Sequence, residues 1–301
     1  MSDASWESLI LTAQPPEAAW RSIFGRLRDA ALAAPSPAAM HRETIVPDRL
    51  LAESAWDLWQ EFPNAAPSVV AGLREFWAAS SGAAGSAVLI LDALSLREMP
   101  QIAAAARKHG VEPVRCEVRG SHVPTETEGF SQALGLQTRS KLFNNQPPAS
   151  FIFNGPDTHT DVIDAPFADC VSSVPAKPRL FIWHKWPDEP LIHLHADKVE
   201  GDTIVATEIK KQLASEGFWQ FVDRLRQGRR LVITGDHGYA IPLPRHPRRD
   251  KARWLAEGYR RGQPLATCHT HERTTTRLAT AAIPCAYRAA PSSFSPSVLP
   301  A

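Results

Sequence analysis

The feature that most constrains this fold is a series of short, unbroken apolar runs separated by helical patterns. AVLILD (87–92) is the clearest such run, and EPVRCEV, SFIFN, RLFIWH, LIHLH and RLVITG are further strand candidates. A strand with one wet face alternates apolar and polar residues; a continuous run is expected where both faces are covered. Between them, REMPQIAAAARKHG reads as a helix closed by Gly110, and ATEIKKQLASEGFWQFVDRLRQG as a helix leading into the last run. Strands alternating with helices predict an α/β fold. Its central sheet is mostly parallel and covered by helices on both faces.

The first 84 residues follow a different pattern. Trp20, Ile23, Phe24, Leu27 and Ala31 recur at helical spacing, as do Leu51, Trp56, Leu58 and Trp59, and again Val69, Leu73, Phe76 and Trp77. Prolines at 35, 37, 47, 63 and 67 are expected to punctuate these segments. The stripes read as packing surfaces, so residues 1–84 are expected to be a helical segment docked on a core domain of residues 85–290. A Pro/Ser-rich stretch, 291–301, reads as a flexible tail.

Composition removes several function classes. At 301 residues, with 44% hydrophobic and 22% charged residues, the chain has the balance of a globular protein. Its net charge of +1 gives no global field for nucleic acid or anionic lipid, so any such binding needs a local patch. No apolar run is long enough to span a membrane. The opening MSDASWESLI has neither the basic start nor the apolar core of a signal peptide, which makes a cytoplasmic protein the expectation. Cys116, Cys170, Cys268 and Cys285 form no CxxC pair, which argues against a thiolate zinc site. A metal would need oxygen and imidazole ligands.

Three apolar runs end on such groups: AVLILD on Asp92, LIHLHAD on Asp197 and LVITGDH on Asp236 and His237. The carboxyl ends of strands are where open α/β sheets gather functional groups. A single acid there ordinarily caps the next helix; three such ends, one carrying an Asp-His pair, point to a cation. Carboxylates with imidazole suit Zn, with Mn or Mg as alternatives, and two such ions could clamp a phosphoryl group.

The order of these residues resembles the alkaline phosphatase superfamily and, within it, the PglZ domain of phage-defence and signalling proteins. The resemblance covers about residues 85–290. It rests on VLILDAL, HVPTETEGFSQALG, HLHADKVEGDTIVATE and, most specifically, ITGDHGY. It implies an alkaline phosphatase-like core in which Asp92, Asp236 and His237 hold one metal ion that activates a threonine hydroxyl. Thr127 is the implied nucleophile and ligand, with Thr125 as the neighbouring candidate. A capping role at the next helix is the plain alternative for Thr127. Asp197 and Asp202 would serve a second ion, with His193 or His195 able to replace Asp202. His271, or His269 in its place, would complete it. Gly201 stands where the superfamily often has histidine, and the Asp197 to Asp202 spacing is one residue longer than the usual form.

Two further stretches carry ligand-type residues. GPDTHTD offers Asp157, His159 and Asp161, but among turn residues it reads as a solvated loop. His184 and Lys185, after RLFIWH, read as a partly exposed rim. The stretch at 245–261 is basic; Arg245, Arg248 and Arg249 could hold phosphates of a nucleotide-type substrate or of nucleic acid. No additional arginine is evident near Thr127, which favours a diester over a compact monoester pocket. The resulting expectation is a metal-dependent phosphodiesterase, with other subunits of a defence system as partners. The alternative is a catalytically weak binding or scaffold component.

Overall fold

The computed structural model describes residues 5–12, 14–79, 85–123, 125–188, 201–238 and 285–287. Its centre is a mixed sheet of β1 (Gly85–Asp92), β2 (Pro113–Cys116), β3 (Thr158–Ile163), β4 (Arg179–Pro187), β5 (Arg229–Thr234) and β6 (Cys285–Tyr287). The order is β2-β6-β5-β1-β4-β3. The block β5-β1-β4-β3 is parallel throughout, and β6 runs antiparallel to both β5 and β2. The continuous runs AVLILD and RLVITG therefore lie at the centre, as their lack of alternation predicts.

Each face is covered. On one, Ala87, Leu89, Leu91, Ile182 and Ile233 pack against Trp20, Ile23, Phe24 and Leu27 of the helix Pro16–Ala33. The same layer takes residues of the helices Met99–Lys108 and Glu216–Arg226. On the other, Val88, Ile90, Phe181, Trp183 and Val232 meet Val69, Leu73 and Trp77 of the helix Val69–Ala78, with Phe130 and Leu134. The N-terminal helices thus contribute to both layers of one core. Trp20 is fully buried and sits edge-on to Phe62 at 4.8 Å, an arrangement aromatic quadrupoles favour.

Several local expectations are revised. Pro47 does not punctuate; it lies inside the helix Pro37–Ser54, whereas Pro16 and Pro37 occupy helix starts, where a missing N–H costs no bond. SFIFN is not a strand. Residues 150–154 are turns whose Phe151 and Phe153 are buried against Phe181. The long helix ahead of β5 is two helices, Gly201–Leu213 and Glu216–Arg226, because the Ser215 hydroxyl accepts from the Phe218 N–H and starts a new one. GPDTHTD is not a loop throughout. Thr158 onward forms the edge strand β3, with Thr160 buried. LIHLH lies outside the described residues.

Candidate metal centre

Strand register builds the site. β1 and β5 pair in parallel with Ile90 opposite Thr234, so Asp92 and Asp236 follow two residues later on each chain and emerge side by side. Two residues is one strand period, so both acids continue the face on which Val88, Ile90 and Val232 are buried. The turns that follow are tight. A Cβ at Gly235 would lie 2.6 Å from the Leu94 carbonyl oxygen, so only glycine fits there. Ala93 adopts φ 61°, unusual for a residue with a Cβ, and its N–H donates to Asp236 Oδ1 at 3.0 Å.

On that same face the short helix Thr127–Ala133 is anchored by buried Phe130. Thr127 is its first residue, not its cap, which is Glu126. Freed from capping, the Thr127 Oγ1 lies 2.9 Å from Asp236 Oδ2, 3.1 Å from His237 Nε2 and 3.5 Å from Asp92 Oδ1. The Ser121 hydroxyl, from the segment after β2, donates to the Asp236 backbone carbonyl. Asp92 and Asp236 are both fully buried.

The outer atoms of the cluster are committed, and the inner ones converge. Asp236 Oδ1 takes the Ala93 N–H, and Asp92 Oδ2 is ion-paired with the Arg139 guanidinium. His237 Nδ1 lies 2.9 Å from the Gly238 carbonyl, which can only accept; Nδ1 must donate there. In its neutral form the ring would then turn the lone pair of Nε2 inward, 3.4 Å from both Asp92 Oδ1 and Asp236 Oδ2. Three inward acceptors thus face one another with the single Thr127 hydroxyl proton among them. A buried excess of lone pairs over protons is costly. A divalent cation satisfies all three at once, and an oxygen-and-imidazole set of this kind fits Zn, Mn or Mg. The buried Asp92, Asp236 and His237 group could hold a metal ion.

The other expected site residues divide cleanly. Asp197, His193, His195, His269, His271, Arg245, Arg248 and Arg249 lie outside the described residues. Asp202 falls in the first turn of the Gly201–Leu213 helix, and its side chain is outside them too. Thr125 is buried beside the loop that delivers Thr127. Asp157, His159 and Asp161 form no ligand group among the described residues. His159 is half-buried on β3, and burial lowers its pKa.

His184 is not a rim residue. It is buried, stacked on Phe167 at 4.4 Å, with Nε2 3.0 Å from the Ala165 carbonyl and Nδ1 accepting the Trp186 N–H. Burial pushes its pKa down to about 4. Nearby Cys170 is also buried, and burial pushes its thiol up to about 11, so the pair is structural and unreactive. Lys185 pairs with Asp164 at 2.7 Å.

The residue of this cluster that sequence reasoning missed is Arg139, which pairs with Asp92. It lies on a 3-10 segment, Arg139–Asn145, held against β3, where the Thr160 hydroxyl donates to the Leu142 carbonyl and the Thr160 N–H donates to Asn145 Oδ1. The stretch read as a loop therefore positions an arginine in the site. The argument against a monoester pocket, which rested on no arginine near Thr127, falls with it. No helix among the described residues is long and apolar enough to cross a membrane. No model of a known protein family matches the chain, and no curated protein matches it significantly.

Proposed function

We propose that the protein is a metal-dependent phosphoester hydrolase with Thr127 as its nucleophile. The observation that carries this reading is the Thr127 hydroxyl placed within 3.5 Å of all three inward ligand atoms. The sequence resemblance to PglZ-type domains supports it independently, since it assigns the same four residues to one centre. A bound divalent ion would favour the alkoxide and stabilise charge on the phosphoryl oxygens.

The protein's own residues supply the rest. Asp236 Oδ2 lies 2.9 Å from the Thr127 hydroxyl and orients it, and from this half-buried position the threonine proton would leave to solvent. Oγ1 bonds to phosphorus as the ester bond to the leaving alcohol breaks; water then hydrolyses the phosphothreonine and restores the hydroxyl. Buried Phe130 fixes the helix that carries Thr127, so the hydroxyl is held for attack rather than recruited. A diester of nucleotide type is the favoured substrate, on the basic stretch at 245–261 and the family resemblance. A place in a phage-defence system, beside other subunits, follows from the resemblance alone.

The test is turnover of a nitrophenyl phosphodiester by protein whose metal content is measured in parallel. Thr127→Ala should lose turnover while keeping metal and fold, Thr127→Ser should keep part of it, and Thr125→Ala should remain active. Wild-type turnover by Thr127→Ala would sink the nucleophile assignment. A wild-type protein that binds metal but hydrolyses neither diester nor monoester would favour the binding or scaffold reading.

A further inference from the structure

We propose that Arg139 is the resident counter-cation of this centre: it holds Asp92 in place in the metal-free protein and opposes the incoming ion. The inference rests on the metal reading of the cluster, though not on its catalysis. Asp92 is fully buried, and a buried carboxylate persists only when paired. Arg139 provides that pairing from a side chain that is 23% exposed, through Asp92 Oδ2, leaving Oδ1 aimed at His237 and Thr127. The arginine is therefore reached from the surface while its partner is not. The long stem can turn toward water without unpacking the strand end.

Two effects of Arg139 on metal affinity compete. Orientation of a ligand by an outer hydrogen-bond partner is worth about ten- to a hundredfold in affinity, and removing it weakens binding. Repulsion between a guanidinium and a divalent ion that share one carboxylate acts the other way. At contact distances in a buried site, charge repulsion exceeds that orienting effect. Ala93 and the strand end already orient this cluster from the other side, through the bond to Asp236. Charge therefore wins, and removing the arginine should tighten metal binding.

The experiment compares metal affinity, by chelator competition with Zn or Mn, and the melting temperature with and without metal. Arg139→Gln should bind metal at least about tenfold more tightly, because the metal-free state alone has lost its pairing. Its melting temperature without metal should fall by about 10 °C, as for a buried ion pair broken on one side, and recover most of that on metal addition. Arg139→Lys, which keeps the charge, should resemble wild type in both readouts. The double variant Asp92→Asn with Arg139→Gln should melt above Arg139→Gln when metal-free, since no buried charge is left unpaired. Unchanged or weaker affinity in Arg139→Gln overturns the proposal, as does an equal loss of stability with and without metal. If Arg139→Gln does not fold at all, a double variant that is equally insoluble overturns it as well. Wild-type protein that binds no metal, or binds it equally well as Asp236→Asn, removes both this inference and the function it rests on. Metal binding tightened by Arg139→Gln in a protein without hydrolase activity leaves the inference standing and removes only the function.

Discussion

Asp236→Asn separates a metal ligand from a structural acid. In the structure Asp236 Oδ1 accepts the Ala93 N–H and Oδ2 accepts the Thr127 hydroxyl. Asparagine can keep both links: its carbonyl oxygen still accepts from Ala93, and its amide donates to Oγ1 while the hydroxyl turns to His237. What disappears is one of two buried negative charges. The ligand atoms of Asp92, Asp236 and His237 all lie within 4.8 Å of one another. At an effective dielectric constant of about 20, two unit charges at that separation repel by about 3 kcal/mol. Arg139 offsets part of this, so relief of one to two kcal/mol is a fair order of magnitude. The metal-free variant should therefore melt at or a few degrees above wild type. Metal should then do nothing for it, whereas wild type at a hundredfold excess of ion over Kd should gain about 3 kcal/mol. The assay is thermal unfolding of chelated protein, repeated with added Zn or Mn. A chelated Asp236→Asn that melts well below wild type would show that the acid serves the Ala93 turn, not an ion. A variant retaining the wild-type metal shift would refute the ligand assignment outright.

Two further outcomes are expected. His184 is buried neutral, with its pKa lowered from 6.5 to about 4; between those values the unfolded chain binds a proton that the folded one does not, so stability falls as pH drops through that window. The loss amounts to about 3 kcal/mol. Urea unfolding at pH 7 and pH 4.5 should show His184→Asn lacking that acid-sensitive part, and parallel losses in both proteins would refute it. A chain beginning at Ser86 should aggregate, because it uncovers the sheet face that Trp20, Ile23, Phe24 and Leu27 bury. A soluble, active truncation would make the N-terminal helices an independent module.

What could be read from the sequence was what repeats or sits on a strand. The central strands declared themselves because burial on both faces leaves an unbroken apolar run, and the helical stripes because each buried residue recurs every three or four positions. Asp92, Asp236 and His237 were legible for the same reason, since a strand end followed by acids says where side chains gather. SFIFN was misread because a buried turn and a buried strand present the same apolar composition, and only the pairing partner distinguishes them. THTDVI was passed over because an edge strand tolerates polar residues, and its aspartate and threonines look like a turn. That second error concealed Arg139. No local pattern marks it: it comes from an irregular 3-10 segment whose position depends on Thr160, a residue on an edge strand whose sequence has the polar composition of a loop. Its partner lies 47 positions earlier, joined through the order of the sheet rather than through any motif. A motif fixes the residues that must touch an ion, because their chemistry is demanding. The charge that balances them can come from anywhere the fold brings an arginine, so it is visible only once β3 is seen beside β4. The same asymmetry explains why Asp92, Asp236 and His237 are the safer targets for testing function, and Arg139 the sharper one for testing how the charge of this cluster is balanced.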